Sequence, residues 1–215
     1  MNSNAIRQLT RPIVNLKAIS LLLFFISAIV DGGGRFFLPV QTKNRSSADE
    51  LKLTPIGSFG LVRKARKNIP SHYHSGIDIK RPNPNFINEP IYPIAKGMVI
   101  SKRDDGPYAQ LIIEHEYNGV RFWTLYEHLA GITVDVNNAV SPETPIGRFM
   151  NRSELNHYGW QFDHLHFEVL RIRPTMLRPG PATPTRFYSS YSLMCFSKAD
   201  LEKYFFDPLQ FLAGK

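Results

Sequence analysis

Cys195 is the only cysteine in the chain. A lone cysteine excludes an intramolecular disulfide and a Cys-rich structural zinc site. Its setting, Ser192-Leu-Met-Cys-Phe196, reads as a small buried hydrophobe rather than a nucleophile. Two common hydrolase signatures are also missing. His115-Glu116 opens like His-Glu-x-x-His, but the second histidine would fall at position 119, which is Gly119; Gly57-Ser58-Phe59-Gly60 has the wrong spacing for Gly-x-Ser-x-Gly. No internal repeat is visible, and helical periodicity is convincing only near the end, where Ser197 is placed to cap a helix over 198–205.

Acidic residues are absent from positions 1–30. Arg7, Arg11 and Lys17 precede an apolar run at 18–30, AISLLLFFISAIV, which together make the charged and apolar regions of an export signal. This run falls short of the ~20 residues that span a bilayer comfortably. Ala28 offers a small residue for cleavage, although Ile26 fits Ala-x-Ala poorly, so residues 1–30 are expected as a signal peptide or a signal anchor with membrane anchoring through 18–30. The N-terminal positive flank then places the remainder outside the cytoplasmic membrane, periplasmic, wall-associated or secreted. Without the three leading basic residues, 23 of 26 remain against 18 acidic ones, a net charge of +5. They form no recognition motif, so nucleic acid is not an expected partner, whereas an anionic extracellular polymer suits the charge.

With 215 residues, 43% of them hydrophobic, the chain can bury one substantial core. Asp31-Gly-Gly-Gly34 and the polar stretch 41–50 read as a linker over 31–52, followed by a domain over 53–215. Strands and turns dominate it. Residues 111–117 and 120–129 flank Asn118-Gly119, a strong hairpin signal. Alternation groups His115 with Leu111, Ile113 and Tyr117, which marks it as structural, and groups His128 with Phe122, Thr124 and Tyr126 against Arg121, Trp123 and Glu127.

Two segments concentrate potential metal ligands: His74-Ser-Gly-Ile-Asp78 and, about ninety residues later, Asp163-His-Leu-His-Phe-Glu-Val169. Zinc accepts imidazole nitrogen and carboxylate oxygen, and a catalytic site uses three protein ligands with a fourth position open. If the first segment is an extended strand, His74, Gly76 and Asp78 share a face opposite Ile77 and Ile79, with Gly76 leaving a gap for a metal. In the second, His164, His166 and Glu168 oppose Leu165, Phe167 and Val169. Either motif alone is weak; together, on amphipathic strands, they favour a metal site. Alternation does not decide which of His164 and His166 is the ligand, and the added presence of His128 makes it a candidate acid or base.

These residues resemble the lysostaphin and LytM type of zinc metallopeptidase, the cell-wall endopeptidases of bacteria. The resemblance runs through Ile56-Gly-Ser-Phe-Gly-Leu-Val-Arg63, His74 to Asp78, Ile94-Ala-Lys-Gly-Met-Val-Ile100, Leu125-Tyr-Glu-His-Leu129, His164-Leu-His-Phe-Glu168 and Asp207-Pro-Leu-Gln-Phe-Leu212. It implies a mainly β fold, an antiparallel sheet with an open groove, and one zinc ion held by His74, Asp78 and His166, with His128 and His164 as catalytic groups. It further implies peptidoglycan as substrate and partner. The alternatives are a non-hydrolytic wall-binding activator of another murein hydrolase, or a different extracellular metallohydrolase on the same scaffold. Three features depart from the family pattern: the long, bulky segment 148–163, the Pro/Arg-rich insertion 171–206 between the core (53–170) and the closing element (207–215), and Asp163 beside His164.

Overall fold

The Asn118-Gly119 pair adopts φ 49° and 76°, the left-handed conformation that a two-residue hairpin turn requires. It joins two eight-residue strands in register from Tyr117↔Val120 to Gln110↔Glu127. The computed structural model describes residues 36–104 and 106–214, and the expected export segment 1–30 lies outside them. The chain divides into two units, Met1–Gly33 and Gly34–Lys215, and only the second is described below. Its strands are β1 (Val62–Arg63), β2 (His72–Tyr73), β3 (Ile77–Lys80), β4 (Pro90–Ile91), β5 (Gly97–Arg103), β6 (Gln110–Tyr117), β7 (Val120–Glu127), β8 (Ala139–Val140), β9 (Gly147–Arg148), β10 (His164–Leu170), β11 (Thr175–Met176), β12 (Tyr188–Ser189) and β13 (Phe205–Phe206). Three short helices complete it: α1 (Arg152–Tyr158), α2 (Lys198–Tyr204) and α3 (Pro208–Leu212).

The central sheet is antiparallel, in the order β13-β10-β7-β6-β5-β8. Strand β3 also pairs with β10, over His164 to Phe167, while β13 takes its far end at Val169 and Leu170. Period-2 alternation gives the sheet two covered faces. On one, Leu111, Ile113, Phe122, Tyr126, Leu165, Phe167 and Val169 join Ile77 and Ile79 in the main core. Each such side chain contributes roughly 1.5–3 kcal/mol when fully buried. On the other, Ile112, Trp123, Leu125 and Leu170 pack against Cys195, Leu201 and Phe205. The insertion 171–206 therefore covers part of the sheet, and hydrogen bonds from Lys102 N–H to the Thr185 carbonyl and from Tyr188 N–H to Ser101 Oγ, at 3.0 and 3.1 Å, tie it to β5.

The expected linker 31–52 differs from residue 36 onward. Leu38 and Val40 are buried in the main core, Phe37 N–H donates to the Ile94 carbonyl at 2.9 Å, and Phe36 stacks on Phe211 with ring centroids 4.5 Å apart. The reason is local: Phe36-Phe-Leu-Pro-Val40 is an apolar stretch between a glycine run and a polar one, and its burial outweighs the polar context. The bulky segment 148–163 contains α1, started by an Asn151–Glu154 capping box, followed by a 3-10 turn at Trp160–Phe162. The expected C-terminal helix forms as α2 under a Ser197–Asp200 capping box. No helix among the described residues is long and apolar enough to cross a membrane.

Candidate metal centre

Each ligand side chain is held by its own partner. His74 follows β2, and its Nδ1–H donates to the Ser58 carbonyl at 2.9 Å, which turns the Nε2 lone pair inward. Asp78 lies on β3; its Oδ2 accepts from Arg63 Nη2 at 2.7 Å, leaving Oδ1 for the site. His166 lies on β10 opposite both Asp78 on β3 and Glu127 on β7. Its Nε2 contacts Glu168 Oε1 at 3.1 Å, and Ser75 Oγ donates to the same oxygen at 2.5 Å. A ring nitrogen anchored to a carbonyl or carboxylate, with the other aimed at a common point, is how histidine ligands are oriented.

His74 Nε2, Asp78 Oδ1 and His166 Nδ1 form a triangle with edges of 3.1, 2.9 and 3.1 Å. Bonds of about 2.0–2.1 Å to a tetrahedral zinc place ligand atoms about 3.3 Å apart, so the donor set fits zinc in chemistry and in spacing. Among the described residues these three are the group able to hold a metal ion. The electrostatics agree. Burial opposes charge on His166, yet hydrogen bonds to Asp78 and Glu168 push its pKa up to about 10; burial would raise Asp78, but His166 and His74 hold its carboxyl far below the usual range. Flanked by Asp78 and Glu168, His166 is thus favoured in its charged form. A metal held there would take the place of the proton at His166 Nδ1.

His164 Nε2 is 3.6 Å from Asp78 Oδ1, adjacent to the triangle but outside it. His128 stands across from it, ring centroids 4.7 Å apart and edge-on. Burial lowers both imidazoles to about 4, which keeps them neutral at pH 7. His128 Nδ1–H donates to the Pro107 carbonyl at 2.7 Å, so Nε2 retains its lone pair. Phe162 and Tyr108 flank this ring at 5.1 and 5.9 Å.

Two sequence expectations need correction. Residues 74–78 are not one strand: the chain bends at Gly76 and β3 begins at Ile77. Gly76 leaves no gap for a metal, because a Cβ there would lie 2.3 Å from the Phe167 carbonyl oxygen and 3.0 Å from Glu168 Cγ; the glycine permits β10 to approach. His128 does not continue the alternation of β7. It has φ 66°, a conformation costing a non-glycine residue roughly 1–3 kcal/mol. This reversal turns it from the Phe122/Tyr126 face to the face of Glu127 and His166. His115 is structural as expected: buried against Phe122, it bonds the Lys96 carbonyl and Thr124 Oγ1 at 2.8 and 2.7 Å.

Several site residues carried no role from sequence. Arg63 stands within a quoted motif, but only the fold brings it to Asp78. Glu168 shares the face of His166 by alternation, a signal that pointed to it without naming its contact. Glu127 was legible only through the register of β7 with β10.

The family model described as Peptidase family M23 matches residues 72–179. No curated protein matches the chain. Among solved structures the chain is similar to a zinc-containing peptidase from Vibrio cholerae, at 30% identity over 63% of this chain and 36% of that one, with a TM-score of 0.44. It is also similar to lysostaphin from Staphylococcus simulans, at 18% identity over 84% of this chain and 55% of that one, TM-score 0.49. A third similarity is to LytU, at 25% identity over 56% of this chain and 74% of that one, TM-score 0.40. The chain spans between 36% and 55% of the length of the first two.

Proposed function

This chain belongs to peptidase family M23, and we propose that it is a zinc-dependent endopeptidase that hydrolyses peptide cross-links of bacterial peptidoglycan. The observation that carries the reading is the triangle of His74, Asp78 and His166 with two neutral histidines beside it. Metal bound there supplies the Lewis acid that polarises a carbonyl and brings the pKa of water to ~7. His74 Nε2, Asp78 Oδ1 and His166 Nδ1 would hold it, and Arg63 and Glu168 orient the last two. His128, neutral and with Nδ1–H fixed by Pro107, takes the proton of the attacking water at Nε2 and delivers it to the departing amine nitrogen as the C–N bond breaks. His164, also neutral, donates an N–H to the oxygen on which charge develops. Residues 1–30 carry the protein out of the cytoplasm, where its basic surface meets the wall.

Digestion of purified peptidoglycan, with and without chelator and after restoring zinc, tests the reading. Fragments cut at peptide bonds are expected, lost with chelator and regained with zinc. Release that survives complete metal removal overturns the zinc assignment, and stimulation of a separate amidase without any release identifies a non-hydrolytic activator instead.

A further inference from the structure

Three stretches remote in sequence form a cleft of about 580 Å³ at the end of β3. One wall is residues 40–43, held where Val40 bridges to Ile91 and where Arg45 donates to the Leu38 and Pro142 carbonyls at 3.0 and 2.7 Å. A second wall is residues 50–52, tied to β3 because Lys80 N–H donates to the Lys52 carbonyl at 2.7 Å. The third is residues 79–83, fixed through Arg81, which is buried and bonded to Asp163 Oδ1 at 2.9 Å and to Glu89. Walls anchored in this way make a largely preformed site. None of the lining residues belongs to the ligand triangle or to the pair of neutral histidines.

The charge of the cleft is one-sided. Lys43, Lys52 and Lys80 line it against a single acid, Glu50. Arg81 is already satisfied by Glu89 and Asp163, but among the described residues no carboxylate pairs with any of the three lysines. A concave wall of like charge focuses its field and gains from an anion. The cleft also adjoins the chemistry. Lys80 is two residues beyond Asp78, roughly 7 Å along an extended strand and on the same face, and it lies directly opposite His164 on β10. An anion seated against Lys80 is therefore held beside the catalytic histidines. The volume falls within the ~300–1,000 Å³ of small-ligand sites, which suits one side-chain-sized group better than a polymer strand. Ammonium heads only donate, and a carboxylate only accepts. A carboxylate is the anion that a peptide substrate brings.

We propose that Lys43, Lys52 and Lys80 form a specificity subsite for a free carboxylate carried by the substrate peptide beside the scissile bond. The proposal rests on the endopeptidase reading above. Synthetic cross-linked stem peptides test it, made with free and with amidated terminal carboxylates. The wild-type protein is expected to favour the free form in kcat/KM by about tenfold, the scale of one charge-assisted hydrogen bond, mainly through KM. The double variant Lys43→Met/Lys52→Met reduces that preference to about twofold or less at unchanged zinc content. Lys64→Met/Lys67→Met removes the same charge from the exposed turn between β1 and β2 and retains the preference. Equal handling of the two forms by the wild type, a preference that survives the cleft variant, or equal losses from both variants overturns the subsite while leaving the peptidase intact. If the wild type cleaves neither form, the catalytic reading fails, and calorimetric binding of the two peptides to the zinc-loaded protein decides the subsite: tighter binding of the free form, lost in the cleft variant alone, upholds it, and any other pattern removes it.

Discussion

His164 and His166 are separated by a single residue on β10, and what distinguishes their chemistry is the partner of each ring. His166 has Glu168 behind Nε2 and Asp78 in front of Nδ1; His164 faces His128 across the site. On the proposed function His166→Ala removes a ligand, and zinc and turnover are expected to be lost together. His128→Ala retains zinc and lowers turnover by roughly 10²–10⁴, the usual share of one proton-transfer group. Chelator-competition measurements of zinc affinity beside turnover separate the two, and a zinc-free His128→Ala protein contradicts the division. Arg63→Met leaves all three ligand atoms in place but releases Asp78 Oδ2. Zinc affinity is expected to fall roughly 10–100-fold, as for other groups that orient a ligand, and an unchanged affinity means that Asp78 is held well enough by the strand itself.

The triangle of candidate ligands forms because two elements approach closely. Gly76 lies against the Phe167 carbonyl, and β3 then pairs His166 with Asp78. Gly76→Ala forces that backbone contact apart, so zinc affinity falls although no ligand is altered; crystallography or chelator titration showing an undisturbed site excludes this role for the glycine. The β6–β7 hairpin and the two-faced pattern of β10 were legible in the sequence because period-2 alternation and Asn-Gly are local signals. The left-handed turn at His128 was not, since the groups its ring meets, Phe162, His164 and the Pro107 carbonyl, are remote in sequence. Helix α1 is marked in the sequence only by the Asn151-Arg-Ser-Glu154 capping box, because it buries a single residue, Leu155, and so has no apolar periodicity to show. The resemblance separated His166 from His164, and the residue pattern alone left that choice open.

At the scale of the molecule, segments remote in sequence close the core. Residues 36–40 and α3 cap one face, where Phe36 meets Phe211, and the insertion 171–206 covers Trp123, Leu125 and Leu170 on the other. Their composition gave no sign of which face they cover, because that depends on where β13 and the closing helix return. Removing 171–206 is therefore expected to destabilise the whole unit, visible as loss of a cooperative thermal transition. The core also stores a pH dependence in His115, buried between Thr124 and the Lys96 carbonyl far from the metal ligands. Burial lowers its pKa from 6.5 to about 4, so between those values the unfolded chain binds the extra proton and folding is penalised. The stability it contributes is complete above about pH 6.5 and is lost as pH falls toward 4, amounting to about 3 kcal/mol. His115→Gln lacks this titration. In urea unfolding of the metal-free proteins, the wild-type advantage should shrink by that order from pH 7 to pH 4, since every other titrating group is common to both. Parallel curves over that range instead place the charged form of His115 in water, and with it a more open core than the one these strands enclose.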